Sequence, residues 1–166
     1  MADAADAPRP SQAYRAGIAR GDWDDDPAQH APLAALDRVH DALLAGRPRR
    51  GWFARTFGGD PGGEAPQGLY LWGGVGRGKT FMVDLFYNGL PLPVAKLDAK
   101  GGDGNGKRRT HFHRFMRVVH ERLREHAGER DPLASIVAEW RRSLRVLVLD
   151  EFFVSDIGDA MLLARL

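Results

Sequence analysis

Residues 73–80 read Gly73-Gly74-Val75-Gly76-Arg77-Gly78-Lys79-Thr80, a G-x-x-x-x-G-K-[ST] spacing that few folds accommodate. An apolar run, Gly68-Leu69-Tyr70-Leu71-Trp72, stands before it, and Phe81, Met82, Leu85 and Phe86 follow at helical spacing. A short apolar run closed by glycines has the character of a buried parallel strand. Gly78 to about Tyr87 then reads as a helix, halted by Asn88-Gly89. Strand, glycine-rich turn and helix in that order describe one end of an open α/β sheet. A strand-to-helix turn that matches the pattern by chance is the alternative, and the flanking elements argue against it.

The chemistry of phosphate binding explains the composition. Glycines admit backbone conformations that a Cβ forbids, so successive N–H groups can turn inward onto phosphate oxygens. A helix opening at Gly78 adds the positive end of its dipole. In such a loop Lys79 reaches the β- and γ-phosphates, where it aids catalysis, and the Thr80 hydroxyl coordinates Mg²⁺. Gly73, Gly74, Val75, Gly76, Arg77, Gly78, Lys79 and Thr80 are therefore expected to bind ATP with Mg²⁺.

A second apolar run, Arg145-Val146-Leu147-Val148-Leu149, ends at Asp150-Glu151. Open α/β sheets place their ligands at the carboxyl ends of their strands. Asp150 is expected to hold Mg²⁺ through water, and Glu151 to orient and deprotonate the attacking water. A carboxylate directly after the magnesium aspartate favours hydrolysis over phosphoryl transfer to another substrate. Two acids that merely end a strand are the plainer reading, and the phosphate loop about seventy residues upstream weighs against it.

With 166 residues, 43% of them hydrophobic, the chain suffices for one domain with a core and hardly for two. The net charge of +2 is too small to imply nucleic acid by itself. Cysteine is absent, which excludes disulfides and Cys-based zinc sites. No apolar run approaches the roughly 18–20 residues that span a bilayer, and MADAADAPRP has neither signal-peptide nor transit-peptide character. A cytoplasmic location is the expectation.

Residues 1–12 read as a disordered lead-in, and residues 13–67 as an N-terminal helical segment followed by a linker. Within them a helix is expected from Pro32 to about Ala45, with Leu33, Leu36, Val39, Leu43 and Leu44 on one side. Gly46–Gln67 is the linker, and Leu90–Lys107, with Pro91, Pro93 and GGDGNG, reads as a flexible surface loop. Arg109–His113 reads as a strand flowing into a helix from Arg114 to His126. A second helix runs from Pro132 to Arg142, and a last one, Asp156–Leu166, is capped by Ser155.

Some clusters carry weaker signals. His111 and His113 alternate on the expected strand and share a face. Two metal ligands are conceivable there, but no third is apparent, and packing or hydrogen bonding is the plainer explanation. Lys107, Arg108, Arg109, Arg114, Arg117, Arg122 and Arg124 form a basic region interleaved with Phe112 and Phe115. It suits nucleic acid or an acidic partner, as in a helicase loader; the favoured reading makes the aromatics core and the arginines a solvated face or subunit contact. Asp156 and Asp159 suit the first turn of a helix. Gln29 is a candidate contact to a nucleotide base.

The segments GLYLWGGVGRGKTFMVDLFY, RRTHFHRFM and RVLVLDEFFVSDIGDAMLLARL, in that order, closely resemble the AFG-type AAA+ ATPases. The resemblance covers about Tyr14 to Leu166. The HFHRFM and DEFFVSDIGDAM runs carry it, since the phosphate loop is shared by many families. It implies a P-loop NTPase fold of AAA+ type, and a cytoplasmic, homo-oligomeric ATPase that remodels a protein partner. Bacterial members act in cell division, on FtsZ polymers when ATP is present. By matching position, Asp150 would be the Walker B aspartate and Glu151 the catalytic glutamate. Two departures stand out. Gly101–Gly106 looks like a surface insertion, and family members run to roughly twice this length. Residues 68–166 would then be the N-terminal part of the ATPase core, incomplete at its C-terminus. The sensor residue, the arginine finger, the helical lid and a central strand would belong to the remainder. The expectation is a fragment that neither folds cooperatively nor turns over ATP alone.

Overall fold

The computed structural model describes residues 7–45, 67–96 and 104–165. The chain divides into two compact units, residues 1–91 and 92–166. The linker expected at Gly46–Gln67 lies almost wholly outside the described residues, as does most of the glycine-rich Gly101–Gly106 run.

The first unit is helical. Helix α1 spans Pro10–Arg20, α2 Pro27–Leu44 and α3 Lys79–Gly89. Proline at the first position of α1 and α2 needs no N–H partner there. Gly21 ends α1 at φ 79°, and its N–H and that of Asp22 return to the carbonyls of Ile18 and Gly17. Asp26 caps α2 by accepting from the Ala28 N–H at 2.9 Å. Tyr14, Leu33, Leu36, Leu43, Met82, Phe86 and Leu90 are buried. The Trp23 indole lies edge-on to Phe81 at 4.8 Å and donates to the Tyr14 carbonyl at 3.0 Å.

Three expectations change in this unit. Helix α1 begins at Pro10, inside the segment read as a disordered lead-in. It was missed because its apolar content is low, and it is held by Tyr14 packing rather than by a long stripe. Helix α2 begins five residues before the expected Pro32, because Asp26-Pro27 supplies the cap and first turn while Pro32 sits inside the helix. Residues 68–72 form no strand. No described strand pairs with them, and Tyr70 and Trp72 are 63% and 82% exposed. Without neighbours to take its N–H and C=O groups, an apolar run does not become a ladder.

The second unit is a parallel crossover. Strand β1 spans Gly106–His111, α4 Phe112–Glu125, α5 Pro132–Ser143, β2 Leu144–Asp150 and α6 Ile157–Leu163. β1 and β2 pair in parallel, with Arg109 opposite Val148 and His111 opposite Asp150, after an irregularity at Gly106/Lys107. This parallel α/β arrangement is the expected fold class. On its other side β1 meets the chain at Pro93–Ala95, where Lys107 donates to the Pro93 carbonyl at 2.7 Å and accepts from Ala95 at 2.9 Å. The expected surface loop is thus tethered at both described ends. Phe112, Phe115, Met116 and Val119 of α4 pack with Leu133, Ile136 and Trp140 of α5 and with Leu144.

The strand ends at His111 rather than His113, because Phe112 turns inward as the first residue of α4. Asp131 caps α5 as its position before Pro132 predicts, accepting from the Ala134 N–H at 3.2 Å. Asp156, not Ser155, caps α6, taking the N–H groups of Gly158 and Asp159. Asp159 instead bonds His120 at 2.8 Å. No helix of the described residues is long and apolar enough to cross a membrane.

Candidate nucleotide-binding site

The phosphate loop lies in the first unit. Gly73, Gly76 and Gly78 have φ of 137°, 80° and 75°, all in territory that L-residues avoid. A Cβ on Gly73, Gly74 or Gly76 would meet nothing within 4 Å, so backbone conformation rather than crowding selects glycine there. Val75 is fully exposed and Arg77 is exposed, which leaves the loop open to solvent on that side. Gly78 is the N-cap of α3, so Lys79 and Thr80 form its first turn. The Lys79 ammonium donates to the carbonyls of Gly73 at 2.8 Å and Gly74 at 2.7 Å. It therefore closes over the loop it is expected to serve.

Gln29 reaches this loop from α2. A Cβ placed on Gly78 would stand 2.6 Å from Gln29 Nε2. The side chain proposed for the base is thus set against the last glycine of the phosphate loop.

Asp150 and Glu151 lie in the second unit. Arg109 grips Asp150 with a fork: its Nε donates to Oδ2 at 2.6 Å and its Nη2 to Oδ1 at 3.1 Å. The two are diagonal neighbours across the β1–β2 ladder, since Asp150 stands opposite His111. Each side chain is about one-fifth exposed, 20% for Arg109 and 23% for Asp150. Glu151 is exposed, and its Oε2 is 3.7 Å from His111 Nδ1, beyond hydrogen-bonding range. Glu151 is also the one described non-glycine residue with positive φ, 51°. A side chain in that region costs about 1–2 kcal/mol.

The residues fit ATP with Mg²⁺. The left-handed glycines form an open cradle of N–H groups at a helix start, and the Thr80 hydroxyl and Asp150 carboxylate are the hard oxygen donors that Mg²⁺ takes. Among the described residues no cluster of three or more His, Asp or Glu could hold a metal by itself. His111 and His113 lie on different elements, yet their rings stack at 5.8 Å with planes 11° apart. Packing, not ligation, accounts for them.

The basic region is also resolved. Phe112 and Phe115 are 4% and 3% exposed, in the core. Arg122 is enclosed between the carboxylates of Glu125 and Glu139. Sequence reasoning placed Arg109 only in this region and missed its pairing with Asp150. The β1–β2 register, which no spacing reveals, was the missing information.

The family model described as AFG1-like ATPase matches residues 9–166. The chain belongs to the AFG1-like ATPase family. It is 39% identical to the cell division protein ZapE of Escherichia coli K12, over 95% of this chain and 41% of that protein. An uncharacterised protein of Schizosaccharomyces pombe is 30% identical over 95% of this chain and 39% of its own length. Lactation elevated protein 1 homolog B of Danio rerio is 35% identical over 61% of this chain and 20% of its own. The chain thus spans about two fifths of the length of the curated relatives that it matches most fully. No solved structure matches. The matched span includes the phosphate loop, the Arg109–Asp150 pair and Glu151.

Proposed function

We propose that the protein binds ATP with Mg²⁺ and hydrolyses it. The observation that carries this reading is the loop at residues 73–80, whose left-handed glycines and docked lysine form an anion cradle at the start of α3. Residues 73–80 hold the triphosphate through backbone N–H groups, and the Lys79 ammonium leaves its carbonyls for the β- and γ-phosphate oxygens. Thr80 and Asp150 hold the Mg²⁺, which neutralises phosphate charge when bound. Glu151 accepts a proton from the attacking water.

The relative named for cell division supports a role in that process. In this reading the ATPase is cytoplasmic and homo-oligomeric, and it uses hydrolysis to remodel a protein partner, FtsZ polymers by family resemblance. The helicase-loader alternative loses ground because the aromatics that would stack on bases are buried.

Binding of a fluorescent ATP analogue, with phosphate release followed in parallel, tests the enzyme reading. Mg²⁺-dependent binding that Lys79→Ala abolishes is expected; equal binding by both chains overturns it. Cosedimentation with FtsZ polymers, ATP-dependent and lost with Lys79→Ala, tests the partner.

A further inference from the structure

We infer that Arg109 is a positioning residue that holds Asp150 in the metal-free chain and must release it for Mg²⁺ to bind. The inference rests on the proposed role of Asp150 as a metal-holding carboxylate. Both Asp150 oxygens accept from the same guanidinium, at 2.6 and 3.1 Å, in the forked geometry that is the strongest available to a carboxylate. A carboxylate so occupied cannot at once accept from the water shell of a divalent cation, and the cation and guanidinium repel each other at such range.

The surroundings give the arginine somewhere to go. Arg109 and Asp150 line an open cleft of about 900 Å³ that also carries Glu121 and Glu125 of α4. A guanidinium that leaves Asp150 therefore keeps carboxylates within its cleft. In the metal-free state the clamp also fixes the end of β2, immediately before the strained Glu151. Arrival of the metal thus frees the backbone that carries the catalytic carboxylate.

A purely structural ion pair and a releasable clamp predict opposite effects on metal affinity. Removing a structural pair loosens Asp150 and weakens metal binding; removing a clamp takes away a competitor and tightens it. Mn²⁺ binding is read by electron paramagnetic resonance in the presence of a non-hydrolysable ATP analogue, on wild type, Arg109→Ala and Arg109→Lys. Arg109→Ala is expected to bind Mn²⁺ about tenfold more tightly, which is about 1.4 kcal/mol, with Arg109→Lys between. Equal or weaker binding by Arg109→Ala overturns the clamp.

Should Arg109→Ala fail to fold, the wild-type chain still decides the matter. The Nε–H resonance of Arg109, assigned through Arg109→Lys, is expected to shift when Mg²⁺ and the ATP analogue are added; no shift overturns the clamp alone. Absence of metal binding in wild type and both variants overturns the clamp together with the metal role of Asp150.

Discussion

The Lys79 ammonium lies 2.8 Å from the Gly73 carbonyl, a residue six positions back, so the loop binds its own cation. Those bonds are solvent-accessible and contribute little to stability. Lys79→Ala is therefore expected to change the unfolding free energy by less than about 1 kcal/mol. It should lower ATP affinity at least a hundredfold, because a charge-assisted contact to phosphate is lost. Denaturant melts and nucleotide titration of the same preparations separate the two effects. A large loss of stability would assign the lysine a structural role instead.

Gly17 is fixed by crowding. A Cβ there would lie 1.9 Å from Trp23 Cζ2, and the indole cannot retreat easily, since it bonds the Tyr14 carbonyl and packs on Phe81. Gly17→Ala is expected to destabilise the first unit by about 2–3 kcal/mol despite alanine's better helix propensity. Urea unfolding followed by tryptophan fluorescence measures it. Gly74→Ala, where a Cβ meets nothing within 4 Å, is expected to leave stability within about 0.5 kcal/mol of wild type.

These contrasts show what the sequence could and could not convey. The phosphate loop was legible because its chemistry is local: glycines, lysine and threonine act within eight consecutive residues and at one helix start. Helix α5 was legible for the same reason, through Asp131-Pro132. The status of 68–72 was not, because whether an apolar run becomes a strand depends on a neighbour distant in sequence. Arg109 on Asp150 was hidden likewise, behind a ladder register spanning forty-one residues. His113 was misplaced because an aromatic at 112 fits a strand pattern as well as a helix start, and core packing decides between them.

Lys107 offers a pH test. It is buried near the start of β1, and burial pulls its ammonium below the ordinary value of 10.5. At neutral pH the lysine is charged in folded and unfolded chains alike, and the folded state bears the cost of desolvation. Between the lowered folded value and 10.5 the unfolded chain binds more protons, so stability rises with pH; above 10.5 the cost is gone. Lys107→Met should thus gain most over wild type near pH 7, with the gain shrinking as pH rises toward 10.5. Denaturation midpoints at several pH values measure this, and a gain independent of pH would remove burial as its cause.

Glu151 combines a catalytic carboxylate with a backbone that a side chain disfavours, and substitutions can separate the two. Glu151→Gln keeps the backbone and the shape but removes the base, so nucleotide binding should persist while turnover falls about a hundredfold or more. Glu151→Gly removes the strain of φ 51° along with the base. It should raise unfolding free energy by about 0.5–1 kcal/mol, the relief of a left-handed residue less the entropy that glycine adds to the unfolded chain. Glu151→Val, whose branched side chain suits that region worst, should move stability the other way by about 1 kcal/mol or more. Chemical denaturation of the three variants orders them as Gly above Gln above Val if the strain is present. Equal stabilities would show that the backbone at this position is relaxed, and that only the carboxylate separates Glu151 from its replacements.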